Sequence, residues 1–150
     1  MAQAATVEET ANVAALLGGR RVFKKKLSSP FEMLEAVRSG LPYSALEIFQ
    51  QMLQLRTKRL SSLIGVPPRT LSRRKKSKRL SGPESDRLYR VAHVVGLAQA
   101  VLGSLDKASQ WLRRDNRALG GSAPIDLLDT AIGVRQVEEV LNRINHGIYG

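Results

Sequence analysis

The 150-residue chain carries 24 Lys and Arg against 13 Asp and Glu, a formal net charge of +11 at pH 7, and 43% of its residues are hydrophobic but only 5% aromatic. That length allows one ordinary domain or two small ones, the cationic surplus points to an anionic partner, and a core of Leu, Val, Ile and Ala is a helical vocabulary. Without cysteine and with two histidines, the chain lacks the means for disulfides, thiolate zinc sites or a Cys nucleophile, and metal chemistry is not expected.

In chain order, a first helical pattern runs from Val7 to Leu17 and is stopped by Gly18-Gly19. The basic cluster Arg20, Arg21, Lys24, Lys25 and Lys26 then reads as a loop. Ser29-Pro30 starts a short helix bearing Phe31, Leu34 and Val37, closed by Gly40. Leu41-Pro42 opens another, in which Leu46, Phe49, Met52 and Leu53 recur at three- and four-residue spacing. Leu60, Leu63 and Ile64 precede Gly65 and Pro67-Pro68. Ser81-Gly82-Pro83-Glu84 has the spacing of a capping box, in which Ser and Glu side chains satisfy each other's orphan backbone donors. It announces a long helix with the stripe Leu88, Val91, Val95, Ala98, Val101 and Leu102, ended by Gly103. Asp106 is the expected cap of the next segment, through Trp111 and Leu112; Asn116 to Pro124 is a Gly-rich loop. Ile125, Leu127 and Leu128 make a brief turn, and Val134, Val137, Leu141 and Ile144 a last helix ended by Gly147. No strand is predicted, and the fold class is all-α with about eight helices. No apolar run approaches the roughly 20 residues of a membrane span. The N-terminus lacks the basic start and apolar core of a signal peptide, so a cytoplasmic location without membrane contact is expected.

The charge is unevenly placed. Residues 56–90 hold 12 basic and 2 acidic side chains, a net of +10, whereas residues 1–55 sum to +1 and residues 91–150 to zero. A merely solvated surface would spread it. Within the basic segment, Arg59-Leu60-Ser61-Ser62-Leu63-Ile64-Gly65-Val66-Pro67-Pro68-Arg69-Thr70-Leu71-Ser72-Arg73 has the anatomy of a helix-turn-helix. Leu60, Leu63 and Ile64 pack the first helix inward, the small Ser61 permits a close crossing, and Gly65 supplies the left-handed turn. Val66 and Leu71 anchor the second helix, leaving Arg69, Thr70, Ser72, Arg73 and Lys76 outward, with Arg74, Lys75 and Lys78 completing the candidate DNA-binding set. Arg pairs bidentately with guanine in the major groove, while Lys, Ser and Thr suit phosphates. Pro67 stands where such turns usually carry a Ser or Thr cap. RNA is less favoured, since Tyr89 is the sole aromatic between positions 56 and 90.

Catalytic candidates are few. His93 lies on the apolar stripe of the long helix and reads as a core or interface residue, His146 has no nucleophile beside it, and Glu138 and Glu139 read as solvated charge. No phosphate-cradling loop, zinc spacing or triad appears. The chain is not expected to be an enzyme or to hold a cofactor or metal.

The neutral C-terminal part needs its own explanation. Trp111-Leu112-Arg113-Arg114-Asp115-Asn116-Arg117-Ala118-Leu119-Gly120-Gly121-Ser122-Ala123-Pro124-Ile125-Asp126-Leu127-Leu128-Asp129-Thr130, continuing through Gly133, Val137, Leu141, Arg143, Ile144, His146 and Gly147, resembles the C-terminal toxin-binding domain of the Xre/MbcA/ParS antitoxins. Ser29-Pro30-Phe31 and the Ile64–Arg73 helix-turn-helix resemble the same family's Xre-like portion, so the likeness covers about residues 28–150. It implies three parts: an N-terminal extension (1–27), an Xre-like helix-turn-helix and dimerisation region (28–103), and a small helical toxin-binding domain (104–150). It also implies a homodimeric antitoxin that neutralises a RES-domain toxin acting on NAD by occluding its active site, and that binds operator DNA to repress their shared operon.

The residues permit a physical version of toxin contact. Gly120, Gly121 and Pro124 shape a sharp loop, with Trp111 packed beneath it or simply in the core, and Asn116 capping or bracing it. Arg143 lies near the tail His146-Gly147-Ile148-Tyr149-Gly150, whose aromatic ring and terminal carboxylate suit a dinucleotide cleft; an ordinary tail is frayed. Two other readings stay open: a stand-alone helix-turn-helix repressor whose C-terminal half dimerises or senses a ligand, and an architectural or RNA-associated basic protein.

Overall fold

The computed structural model describes residues 6–147; the expected tail contacts of Ile148, Tyr149 and Gly150 lie outside them. Among the described residues nine α-helices follow in order: α1 (Val7–Leu16), α2 (Arg20–Phe23), α3 (Pro30–Ser39), α4 (Tyr43–Met52), α5 (Thr57–Ile64), α6 (Pro68–Ser77), α7 (Gly82–Leu102), α8 (Leu105–Arg113) and α9 (Ala131–Asn145), with 3-10 turns at Arg117–Leu119 and Pro124–Leu127. Among the described residues no strand forms, and one isolated bridge joins Pro42 and Arg79. The fold is all-α, as predicted. The chain separates into two compact units that divide between Ala92 and His93, inside α7 and upstream of the boundary drawn after residue 103.

The helix starts follow local chemistry. Ser29 Oγ accepts the Glu32 amide at 3.2 Å, with Pro30 at the first helical position of α3. The Ser81–Glu84 box forms in both directions: Ser81 N–H donates to Glu84 Oε1 at 2.8 Å, and Glu84 N–H donates to Ser81 Oγ at 3.2 Å. Two expectations are corrected. The cap of α8 is Ser104, whose Oγ accepts from Lys107 N, while Asp106 sits within the first turn. Arg20–Phe23 is a helical turn rather than loop, Lys24 closing it in a left-handed conformation.

In the first unit the core is built from Leu16, Leu17, Leu41, Leu46, Phe49, Leu60, Ile64 and Leu88, all essentially inaccessible. Of the apolar residues on α3, Phe31 and Leu34 are exposed, and Met33 is the buried anchor. The link between α3 and α4 is stitched to the segment after α6. Tyr43 N–H donates to Lys78 O at 3.0 Å, Leu80 N–H to Leu41 O at 2.9 Å and Leu41 N–H to Ser85 Oγ at 2.7 Å. Gly40 permits this approach, because at φ +92° a Cβ there would stand 2.3 Å from the Leu80 carbonyl oxygen. The second unit packs Ala108, Leu112, Ile125, Leu128, Val137 and Leu141 together.

Candidate functional site

Helices α5 and α6 meet through a turn clasped from several sides. Gly65 ends α5 in the left-handed region at φ +64°. Val66 N–H donates to Ser61 O at 3.1 Å, and the buried Ser61 hydroxyl donates to Val66 O. Small size is the merit expected of Ser61; its hydroxyl in addition ties the turn to the helix before it. Arg87 of α7 adds a brace that sequence spacing does not reveal: its Nη1 donates to the carbonyls of Ile64 and Gly65 at 3.2 and 3.1 Å. These carbonyls belong to the last turn of α5, where helical acceptors lack intrahelical partners. The two prolines set the entry to α6, with Pro68 at its first position and no side-chain cap.

Leu71 pins α6 inward. Arg69, Ser72, Arg73, Lys75, Lys76 and Lys78 are exposed, and Thr70 is half-buried, so one helix brings the candidate DNA-binding residues together. Lys75 approaches Glu47 of α4 at 4.0 Å, but both side chains are well exposed and such a pair holds weakly. Arg74 departs from the expected set. Its Nε and Nη2 donate to the two oxygens of Glu84 at 2.8 and 3.1 Å, a bidentate geometry that leaves it a positioning residue for α6. Burial pushes the Glu84 carboxyl upward, but the hydrogen bonds from Arg74 and Ser81 outweigh it and hold the group below its ordinary value. Arg79 likewise donates to Gly40 O, whereas Arg90, 3.5 Å from Asp86 one helical turn away, makes only a partly exposed pair. The surplus of the 56–90 segment is therefore divided among outward cations on α6, the exposed Arg56, Lys58 and Arg59 at α5, and arginines such as Arg74 and Arg87 that hold the fold.

In the second unit, Asn116 organises the loop. Its Oδ1 accepts from Ala118 N at 3.0 Å, its N–H donates to Ser122 O, and its carbonyl accepts from Gly121 N, each at 3.0 Å. Gly120 and Gly121, at φ +68° and +88°, are exposed with open space around them. Pro124 is buried at the head of a 3-10 turn, so it shapes the loop from within and offers no contact surface; Trp111 is half-buried on α8. Arg143, His146 and Gly147 are exposed at the end of α9. Gly133 matters through space: a Cβ there would lie 1.8 Å from the Leu127 carbonyl oxygen, so α9 rests directly on the preceding turn.

His93 Nδ1 stands 3.3 Å from Glu138 Oε2, both side chains about a quarter exposed. Glu138 is therefore half-buried against α7, a correction to its reading as solvated charge. Among the described residues no group of three or more His, Asp or Glu is arranged to hold a metal ion, and no single helix is long and apolar enough to cross a membrane.

Comparison with known proteins bears on both units. Residues 32–93 match the Antitoxin Xre-like helix-turn-helix domain. Residues 97–147 match the Antitoxin Xre/MbcA/ParS C-terminal toxin-binding domain. An Antitoxin Xre of Pseudomonas putida is 43% identical over 86 residues, 57% of this chain, and the chain spans about half (54%) of that protein's length. An Antitoxin Xre of Photorhabdus laumondii is 32% identical over 114 residues, covering 75% of this chain and 77% of that one. A Prs ADP-ribosylating antitoxin of Sphingobium is 29% identical over 132 residues, covering 81% and 83%.

Proposed function

The chain belongs to the Xre family of antitoxins, and from that premise we propose that it neutralises a RES-domain toxin that consumes NAD, by hydrolysis or ADP-ribosyl transfer, and represses the operon they share. The observation that carries the toxin half is the match of residues 97–147 to a toxin-binding domain. The toxin's cleft is closed by the exposed Gly120-Gly121 loop and the end of α9, where Arg143, His146 and Gly147 lead into the tail Ile148, Tyr149 and Gly150. Asn116 and Pro124 hold the loop's shape, and Trp111 supports it from α8. NAD chemistry belongs to the partner, and this chain contributes no catalytic group.

For DNA, Arg69 and Arg73 read base edges in the major groove, while Lys75, Lys76 and Lys78, with Thr70 and Ser72, hold the phosphates. As a cytoplasmic homodimer the chain meets a palindromic operator with half-sites about one helical turn apart. Exposure of Arg69, Ser72, Arg73, Lys75 and Lys76 on α6, and of Lys78 at its end, supports the reading. The test is expression of the neighbouring toxin frame with and without this chain. Growth arrest by the toxin alone, relieved by the full chain and relieved poorly by a chain lacking Ile148–Gly150 that still binds operator, is expected. Full protection by the truncated chain would remove the tail from the mechanism, and arrest persisting with the full chain would overturn neutralisation.

A further inference from the structure

The basic cluster at residues 20–26 lies outside both matched domains, the first of which begins at residue 32 and the second at residue 97, and α6 does not account for it. Arg20, Arg21, Lys24, Lys25 and Lys26 are all exposed. The acid that approaches them is Glu32, 3.5 Å from Lys25. Glu32 also accepts from the amide and hydroxyl of Ser28 at 2.9 and 2.8 Å, so the segment is pinned to the start of α3. Arg20, Arg21, Lys24 and Lys26 have no acidic partner among the described residues.

The fold links this cluster to the recognition helix through α4. Gly18, just before α2, lies against the tip of Ile48 on α4, where an added Cβ would stand 2.7 Å from Ile48 Cδ1 and 2.3 Å from Val22 of α2. The preceding residue on α4, Glu47, reaches Lys75 of α6. Two consecutive residues of α4 therefore touch the α2 turn and α6. Successive residues of a helix project about 100° apart, so the α2 turn and α6 meet different faces of α4 close together along its length.

We propose that Arg20, Arg21, Lys24, Lys25 and Lys26 form a second phosphate-binding patch for duplex DNA, flanking the surface that α6 presents. The inference rests on the operator-binding reading above. The patch adds sequence-independent affinity, since cations on phosphates position a protein without reading bases. Its mark is the salt dependence of binding, whose log–log slope becomes shallower by about 0.9 for each phosphate that is no longer neutralised.

The full chain and the variant R20A/R21A/K24A/K26A are titrated against the duplex upstream of the chain's own reading frame and against a scrambled duplex, between about 50 and 200 mM salt. The variant is expected to melt like wild type, to bind with a slope shallower by roughly 2–4, about 0.9 for each phosphate released, and to weaken by the same factor on both duplexes. The single loop variant K26E is expected to shift the slope in the same direction. Wild-type slopes in both variants, while R69A/R73A weakens operator binding, would overturn the patch and leave the reading of α6 intact. Wild-type chain that binds neither duplex would overturn both. Loss of retention on phosphatidylserine vesicles with unchanged DNA slopes would assign the cluster to a membrane surface instead.

Discussion

Arg74 and Glu84, ten residues apart on α6 and α7, are joined through both prongs of the guanidinium at 2.8 and 3.1 Å, and the same carboxylate accepts the Ser81 amide that begins α7. One buried acid thus caps one helix and fixes the angle of another. Arg74→Ala is expected to cost roughly 1.5–3 kcal/mol, as loss of a charge-assisted hydrogen bond does. Arg69→Ala, on the exposed face, should stay within about 0.5 kcal/mol of wild type. Urea unfolding of the two variants distinguishes them; equal stability would mean that the clamp contributes nothing.

The same pair sets an acid limb. The folded carboxyl of Glu84 lies below its ordinary value of 4.5 because the Arg74 and Ser81 hydrogen bonds overcome the opposing effect of burial. A depressed folded value stabilises the fold fully above the unfolded value, and that stabilisation drains away as the pH falls through the lowered one. Urea midpoints from neutral pH down to about 3 should fall more steeply for wild type than for Glu84→Gln, which is less stable at neutral pH. Parallel curves would contradict this.

Gly133→Ala tests the second unit. The new methyl meets a backbone oxygen that cannot rotate away, so the cost should reach or exceed the roughly 1–3 kcal/mol of ordinary overpacking. Trp111, the single tryptophan, lies in that unit and reports its unfolding. Earlier loss of its native fluorescence, with toxin neutralisation impaired and operator binding retained, is expected; unchanged melting would show that the turn at Leu127 yields.

These residues also mark what a linear reading can reach. Ser29-Pro30, Gly40, Gly65 and the Ser81–Glu84 box act on neighbours a few residues away, so helix limits are legible from spacing. The Arg74–Glu84 clamp and the Arg87 brace depend on how two helices meet, which spacing does not encode. Partial signals exist: Arg74 lies three residues beyond the buried Leu71, and Glu138 adjoins the buried Val137, which places both at the edge of an inward face. Phe31 and its i, i+3 partner Leu34 suggest a core stripe, whereas the residue α3 buries is Met33. At the start of α8, Ser104 and Asp106 are both acceptable caps, and residue type alone does not choose between them. The cluster at 20–26 is visible as charge, but its link to α4 through Gly18 and Ile48 requires the fold.

Separate roles for the α6 cations follow from their chemistry. Replacing Arg69 and Arg73 with Ala should cost roughly 1–3 kcal/mol for each lost base pairing and relax sequence preference. Replacing Lys75 or Lys78 should lower affinity for operator and random duplex alike and reduce the salt slope by about 1 each. Binding indifferent to all four would mean that α6 is not the reader.

The central claim is neutralisation by direct contact, and it is tested most directly by mixing the full chain with the purified RES-domain toxin of its neighbouring frame and following NAD consumption by the toxin. The account predicts a heterocomplex that co-elutes and NAD consumption that falls to background once the chain saturates the toxin, unaffected by R69A/R73A. Separate elution with undiminished NAD consumption would contradict it.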